Sequence, residues 1–407
     1  MSTSSLDVWL HTQRVARLKD EMSLQYTPEL VDRLGRGALC LSISLPVEED
    51  PYRGDRVRWW VEGLLPEGES RTHLETRYEV RRGDAFSLIA AIGRDCAGAV
   101  SFVGSDEHPP VAGEVQAITT TELGQLLADL PNAPLGNDDE VHVSLGGLQA
   151  KLLLCKVQGG WARPVDGTPS THILKPDSLR YPGLVATENF SLALAREVGL
   201  DAAVASLEEV DGRDVLIVER FDRFINDQGV QRRHQEDGCQ ALGIDPTGLN
   251  KYERRSGPPS YNSLAQVLID HGHDPQTNLT TLIRAMTFVL AIGDTDAHAR
   301  NHGFLLDEAA ALAPLYDVAP SIEFAPTSKL ALRVCGLEQL DAVTRAHLHL
   351  EARSWGLLEE AVVDDAVDST LESMRANFEK VDRRKIDPRL LSRMRARIER
   401  IWKSSRF

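Results

Sequence analysis

The chain has 407 residues, 42% of them apolar, which is enough for two or three domains around a large buried core and excludes a disordered protein. A net charge of −16 argues against non-specific nucleic-acid binding by the body of the protein and leaves room for a basic partner. Five scattered cysteines (Cys40, Cys96, Cys155, Cys239, Cys335) include no Cys-x-x-Cys pair, so neither zinc nor a redox disulfide is expected and a reducing cytoplasm fits.

Met1 to Asp7 carry no basic stretch followed by an apolar core, and no run reaches the length of a membrane span, so neither secretion nor membrane insertion is expected. Asp7 to Leu10 and Leu39 to Leu45 read as strands of a small α/β unit. A helix around Arg58 to Leu65 is broken by Pro66 and Gly68, and another covers Phe86 to Ile92. Ala99 to Val103 returns to strand, and the polar, proline-bearing stretch from Ser105 to Val115 marks a boundary. Thr121 to Leu127 opens a short helix with Thr as cap, closed at Pro131, and Gly136 to Glu140 is a loop.

Val141 to Leu154 reads as an alternating strand, a double-glycine turn at Gly146-Gly147 and a second apolar strand. Adjacent glycines with Lys151 four residues on offer open N–H groups and a cation to a phosphate, although a plain hairpin turn explains the same residues. Thr171 to Pro176 is a further strand that ends in Lys175, where a kinase-type lobe places the cation for the α and β phosphates; a solvent-facing strand end is the alternative. Glu188, near the start of a helical pattern through Phe190, Leu194, Ala195 and Val198, would be its partner. Val215 to Asp222 is an apolar strand running into a charged turn. It suits a connection between lobes that meets an adenine edge and also a buried strand with a salt-bridged end, two readings that can hold together, with Arg220, Asp222 and Arg223 structural rather than catalytic.

Leu279, Leu282, Ile283, Met286, Val289 and Leu290 recur at three- and four-residue steps, which predicts a helix from Thr277 to Ile292 ended by Gly293. The polar loop Asp296 to Asn301 follows. Gly303 to Leu306 and Leu315-Tyr316 then read as two strands of a hairpin, with Asp317 at its end. An Asp, an Asn five positions later and an Asp after a strand are the three groups that phosphoryl transfer requires: a carboxylate for the hydroxyl proton, an amide oxygen for one Mg²⁺ and a carboxylate to bridge the metals. His298 and His302 are four apart, but Gly293 and the polar loop disfavour the helix that a zinc pair needs. From Lys380 onward the chain carries about +8, which leaves about −24 elsewhere. Leu391, Met394, Ile398 and Ile401 or Trp402 make one stripe of a terminal helix laid on the acidic body, and a basic edge touching DNA or a partner is the other reading.

Taken together, "THILKP" at 171–176, "VERFDR" at 218–223, "QEDGCQALG" at 235–243, "GDTDAHARN" at 293–301 and "LYDV" at 315–318, with Ser144 and the glycine turn, resemble the HipA family of serine/threonine kinase toxins from HipBA toxin–antitoxin modules. "SISLPV" at 42–47, "GLLPEGESR" at 63–71 and "IGRDCAGAVSF" at 92–102 extend the resemblance over nearly the whole chain. It implies an α+β, two-lobed protein-kinase-like fold. An N-terminal α/β subdomain (1–105) would precede a kinase N-lobe (115–219) and an α-helical catalytic C-lobe (222–407) with a basic terminal helix.

The resemblance also implies roles. Asp296 would be the catalytic carboxylate, with Asn301 and Asp317 holding Mg²⁺ and Lys175 on the ATP phosphates, supported by Glu188. Gly146, Gly147, Leu148, Gln149, Ala150 and Lys151 would line the phosphate site; Glu219, Arg220 and Phe221 would meet the adenine; His298, Ala299, Arg300 and Tyr316 would complete the pocket. Ser144 resembles the serine that this family autophosphorylates, which displaces the turn and inactivates the kinase; two negative charges beside a phosphate site would repel the nucleotide. The implied substrate is a protein serine, in this family that of an aminoacyl-tRNA synthetase, and the implied partner is a HipB-like helix-turn-helix antitoxin dimer that brings operator DNA. The N-terminal subdomain points to the two-gene arrangement. Ala150, Arg300 and Ala297 stand where the family's toxin prototype has glutamate, lysine and glycine, and none of these changes removes a metal ligand or the base. The competing reading is a catalytically silent co-repressor holding an antitoxin on operator DNA; the intact Asp296, Asn301 and Asp317 speak against it.

Overall fold

The structure is a computed structural model that describes residues 4–105, 107–109, 113–130, 150–227, 229–254, 257–325 and 327–405. The chain falls into two compact units, one of residues 1–176, 208–247 and 306–308, the other of residues 177–207, 248–305 and 309–407.

The first unit begins with a five-stranded antiparallel sheet in the order Tyr52–Arg53, Ser23–Tyr26, Gln13–Lys19, Ser5–Leu10, Val100–Gly104. Leu6, Val8, Leu18, Leu24 and Phe102 of these strands and Trp60, Val61, Leu64, Leu88 and Ile89 of the helices Asp55–Leu64 and Ala85–Ile92 form one core. The predicted strand at Leu39 to Leu45 is instead a tight turn bridged between Ser42 and Leu45. Leu41 and Leu45 are apolar because the turn is sunk into the core, and its polar groups are met by side chains rather than by strand pairing: Tyr26 donates to the Leu45 carbonyl and the Ile43 N–H to Glu236 Oε1 at 2.8 Å. Two helices without a strong apolar signature, Pro28–Leu34 and Gly68–Arg77, were not evident from the sequence pattern.

A second sheet follows the order Ala205–Val210, Arg213–Glu219, His172–Pro176, Leu152–Val157, Gly160–Pro164, Val115–Ile118. Its core is shared with the helix Thr120–Asp129, which starts at Thr119 in a capping box with Glu122. The strands predicted around Lys175 and Val215 pair with each other, Leu216 opposite Lys175. Ser144, the turn from Gly146 to Gln149, the loop Gly136 to Glu140 and the closure at Pro131 lie outside the described residues.

A buried charge cluster ties the two sheets' segments together within this unit. Asp95, fully buried, receives Arg223 Nη2 at 2.8 Å, Arg220 Nη1 at 3.3 Å, the Ser170 hydroxyl at 2.8 Å and the Ser170 N–H at 3.0 Å. Asp222 receives Arg220 Nη2 at 2.8 Å and the Gly98 N–H at 2.7 Å, and both guanidinium groups also donate to the Cys96 carbonyl. Burial raises the pKa of both acids, yet the neighbouring guanidinium groups outweigh it and hold them below the ordinary carboxylate range. The structural reading of Arg220, Asp222 and Arg223 is the one observed.

The second unit is mainly helical. Pro275–Ile292 is its apolar centre, with Leu279, Leu282, Ile283, Met286 and Leu290 all buried, and Tyr261–His271, Glu360–Asn377 and Pro388–Lys403 pack on it or on each other. The terminal helix buries Leu390, Met394, Ile398 and Ile401, so the stripe begins at Leu390 rather than Leu391. Several of its arginines have partners within the chain: Arg393 and Arg397 pair with Glu323, Arg395 with Glu379, and Arg400 donates to the Val343 and Asp341 carbonyls, while Arg389, Arg393 and Arg395 remain exposed. Gly303–Leu306 is a strand as expected, but the neighbouring strand is Ala310–Leu312. Leu315 lies beyond it and makes a lone parallel bridge to Ala202, since the Leu315 N–H donates to the Asp201 carbonyl and the Leu315 carbonyl accepts from Ala203.

Candidate functional site

The helix Pro275–Ile292 stops because Gly293 takes φ 98° and ψ 29°. The Gly293 N–H bonds to the Leu290 carbonyl and the Asp294 N–H to the Val289 carbonyl, the paired pattern that closes a helix through a left-handed glycine. The chain is thereby turned out of the helix at a fixed angle, and Asp294, Thr295 and Asp296 follow at once.

Ser321 holds these three. Its hydroxyl donates to Asp294 Oδ1 at 3.0 Å and accepts the Thr295 N–H at 2.7 Å and the Asp296 N–H at 3.0 Å. The Asp296 N–H also reaches Asp294 Oδ1 at 2.9 Å. On the other side, the Asp296 carbonyl accepts from the His298 N–H at 2.7 Å and from Asn301 Nδ2 at 3.1 Å. The backbone of Asp296 is thus pinned at both ends while its side chain remains exposed, with Oδ1 accepting the Tyr252 hydroxyl at 2.6 Å.

Asn301 uses its amide N–H to hold the loop, which leaves Oδ1 as the end able to meet a cation. Asp317 is exposed and takes φ 57°, a left-handed conformation that an Asp tolerates better than most residues. Its neighbour Tyr316 donates to the Arg300 carbonyl at 2.7 Å, tying the segment of Asp317 to the residue before Asn301. Gly303 makes room for this: a Cβ there would lie 3.1 Å from the Tyr316 ring and 3.0 Å from Ala313.

The charges of the loop are arranged around His298. Burial drives its pKa well below the ordinary histidine value, Lys251 and Arg300 push in the same direction, and Asp317 opposes them. The ring is therefore neutral, packed edge-on against Tyr252 at 5.2 Å, and its Nδ1 has no hydrogen-bond partner among the described residues. Asp294 is buried too; burial first and the charge of Asp296 second raise its pKa well above the carboxylate range. His302 points its Nδ1 at the His298 carbonyl, 3.0 Å away, so the two histidines do not form a metal pair.

Among the described residues no three His, Cys, Asp or Glu side chains gather as a metal cage. Mg²⁺ takes one or two protein oxygens and leaves its other positions to water and phosphate. The amide oxygen of Asn301 and the carboxylate of Asp317 are such hard oxygen donors, and they fit the ion.

Two family models match the chain, the one described as HipA-like C-terminal domain over residues 143–380 and the one described as HipA N-terminal domain over residues 6–103. The chain belongs to the HipA family. It is 33% identical over 390 residues to Y4mE of Sinorhizobium fredii, covering 92% of each chain. It is 31% identical over 279 residues to the serine/threonine-protein kinase toxin HipA of Shewanella oneidensis, covering 65% of this chain and 63% of that protein. Among solved structures, the Shewanella oneidensis toxin–antitoxin complex of HipA, HipB and operator DNA contains a chain that matches with TM-score 0.81 over 97% of both chains, at 24% identity. The α+β fold of HipA is therefore the fold of this protein.

Of the residues that the HipA resemblance assigns, Asp296, His298, Ala299, Arg300, Asn301, Tyr316 and Asp317 all lie in the second unit, and the bonds above bring them to one loop system. Lys175 is in the first unit, buried on the strand His172–Pro176, with Lys151 buried and Ala150 half-buried at the start of the adjoining strand. Glu219 is exposed opposite His172 and Phe221 is half-buried, while the Arg220 guanidinium is committed to Asp95, Asp222 and Ser170. Glu188 is buried in the helix Leu184–Glu197 of the second unit. Four residues next to Asp296 escaped the sequence reading: Tyr252, Lys251, Asp294 and Ser321. Asp294 sits inside the quoted "GDTDAHARN" motif and could have been found there; the others carry no local signal, since each reaches the loop from a distant segment. No helix among the described residues is long and apolar enough to cross a membrane.

Proposed function

We propose that this protein is an ATP- and Mg²⁺-dependent protein serine/threonine kinase that acts as the toxin of a type II toxin–antitoxin pair. The observation that carries the reading is Asp296: an exposed carboxylate on a backbone locked by Ser321, Asp294, His298 and Asn301, five residues from an amide whose oxygen is left for a cation. A carboxylate so held accepts the proton of an incoming hydroxyl without having to be ordered first. Bound Mg²⁺ supplies charge neutralisation of the transferring phosphoryl group, with Asn301 and Asp317 as its protein ligands. In this reading Lys175 and Lys151 contribute the cations for the phosphates, with Gly146 to Ala150 assigned to the same phosphates and Glu188 to the support of Lys175. Glu219 and Phe221 meet the adenine. The neutral ring of His298 and the Arg300 cation form the wall beside the metal ligands.

The acceptor is a serine hydroxyl: Ser144 of the chain itself, an event that switches the kinase off, and a serine of a host protein of the aminoacyl-tRNA synthetase class, whose modification arrests growth. The partner is a helix-turn-helix antitoxin dimer that brings the complex to operator DNA. The relative in the Shewanella oneidensis complex, bound with HipB and operator DNA, supports that partnership. The decisive experiment incubates purified protein with labelled ATP and Mg²⁺. One phosphate at Ser144, absent in Asp296→Ala, is the expected result; equal labelling of Asp296→Ala removes the assignment of the base.

A further inference from the structure

The basic terminal helix is a motif from the sequence that the proposed chemistry leaves unused, and one of its arginines sits against the end of the helix from which the Asp296 loop departs. Arg397 Nη1 donates to the Ile292 carbonyl at 2.8 Å, the last residue of the helix that ends in Gly293. Nη2 of the same guanidinium donates to Glu323 Oε1 at 2.8 Å, in the short turn Ser321–Glu323. The pair is enclosed, with 11% of the Arg397 side chain and 7% of the Glu323 side chain exposed. The approach is close enough that a Cβ on Gly293 would lie 2.2 Å from Arg397 Nη1 and 2.9 Å from Ile322 Cγ2.

These contacts have a common geometry. The guanidinium spans the gap between the helix end, from which the loop departs, and the turn whose Ser321 hydroxyl takes the N–H groups of Thr295 and Asp296. The Ile322 N–H closes the same gap with a 3.2 Å bond to the Gly293 carbonyl. A planar fork is needed for this, because two acceptors on different segments are met by two nitrogens of one rigid group. A cation at a helix C-terminus is also favoured by the aligned carbonyl dipoles.

We infer that Arg397 is a positioning residue for Asp296: it sets the distance between Gly293 and Ser321 and thereby the direction in which the Asp296 carboxylate is presented. The inference rests on the reading of Asp296 as the group that takes the acceptor proton. Its effect is on transfer and not on nucleotide affinity, since Arg397 acts through backbone that carries the base.

The test uses the full chain and two readouts: the rate of self-phosphorylation with labelled ATP at saturating ATP and Mg²⁺, and the Kd of a fluorescent ATP analogue, both well below each variant's Tm. Arg397→Lys, Arg397→Ala and Ser321→Ala are expected to lower the rate by about 10- to 100-fold, the scale of a small misplacement of a reacting group, with Kd within about twofold of wild type. Arg389→Ala, on the exposed side of the same helix, keeps the wild-type rate. Rates within about twofold of wild type in Arg397→Lys and Ser321→Ala would overturn the inference, as would a loss of nucleotide affinity in step with the loss of rate. Should Arg397→Ala not fold, those two milder variants decide alone. Asp296→Asn separates the two claims: if it transfers normally, the base is misassigned and both readings fall; if it is dead while Arg397→Lys is fully active, only the role of Arg397 falls.

Discussion

Tyr252 donates its phenolic proton to Asp296 Oδ1 across 2.6 Å, from a segment more than forty residues away in sequence. The bond holds one oxygen of the carboxylate, Oδ1, in a set direction. Hydrogen bonds to charged groups contribute on the order of 1.5–3 kcal/mol. Tyr252→Phe is therefore expected to lower the transfer rate roughly tenfold while leaving the KM for ATP unchanged, because the ring still packs on His298. Steady-state kinetics on the two proteins checks it, and an unchanged rate would show that the phenol is a bystander.

In the proposed reading Asp317 and Asn301 are the oxygen donors for Mg²⁺. Asp317→Asn removes the charge without changing size, and the Mg²⁺ concentration for half-maximal activity should rise at least about tenfold. A titration of activity against Mg²⁺ at fixed ATP measures this. Asp317→Asn with a wild-type titration curve would mean that the carboxylate is not a ligand.

Glu236 gives a pH prediction with a definite sign. Burial raises its pKa from 4.5 to about 8, with the Ser42 and Ile43 hydrogen bonds opposing. Between those values the folded chain keeps a proton that the unfolded chain releases, so stability falls as pH rises through that interval. His234 acts in the other sense: burial lowers its pKa from 6.5 to about 4, and stability is lost as pH falls through that range. The two oppose each other below 6.5; above it Glu236 acts, in the same sense as the buried Asp294. Tm should decline from pH 6.5 to 8 in the wild type and change much less in Glu236→Gln, as followed by thermal unfolding across that window.

Gly293→Ala tests the helix stop. A non-glycine residue at φ 98° carries a strain of about 1–2 kcal/mol, and the new methyl group must also displace the Arg397 guanidinium. A lower Tm with a slower transfer rate is expected, the second effect larger than the first would produce. Thermal unfolding and the labelling assay on one preparation compare them.

The helix before the catalytic loop was legible because its apolar residues keep a helical period and its stop is a glycine, both local facts. The loop was legible for a different reason: Asp296, Asn301 and Asp317 stand at the spacing that phosphoryl transfer asks of a base and two metal ligands. What failed was read from apolar content alone. Leu39 to Leu45 looks like a strand because buried turns and buried strands both need leucine, and only the source of their backbone hydrogen bonds separates them. Leu315-Tyr316 was assigned to a hairpin because sequence proximity favoured the strand before it, whereas its partner is Ala202, more than a hundred residues upstream. Tyr252 and Ser321 could not be found by pattern, since a single hydroxyl reaching a loop from afar leaves no period.

The cluster around Asp95 has a consequence for how the molecule can be cut. Asp95 comes from the opening hundred residues, and the guanidinium groups that surround it come from Arg220, Arg223 and, at 3.5 Å, Arg232. A fragment lacking the front segment would leave Arg232 without this carboxylate and Arg220 and Arg223 with Asp222 alone, and removing one partner of a buried pair costs several kcal/mol. The leading segment therefore behaves as a keystone of its neighbour, and a trimmed version of the chain should be recovered only together with the missing piece supplied in trans.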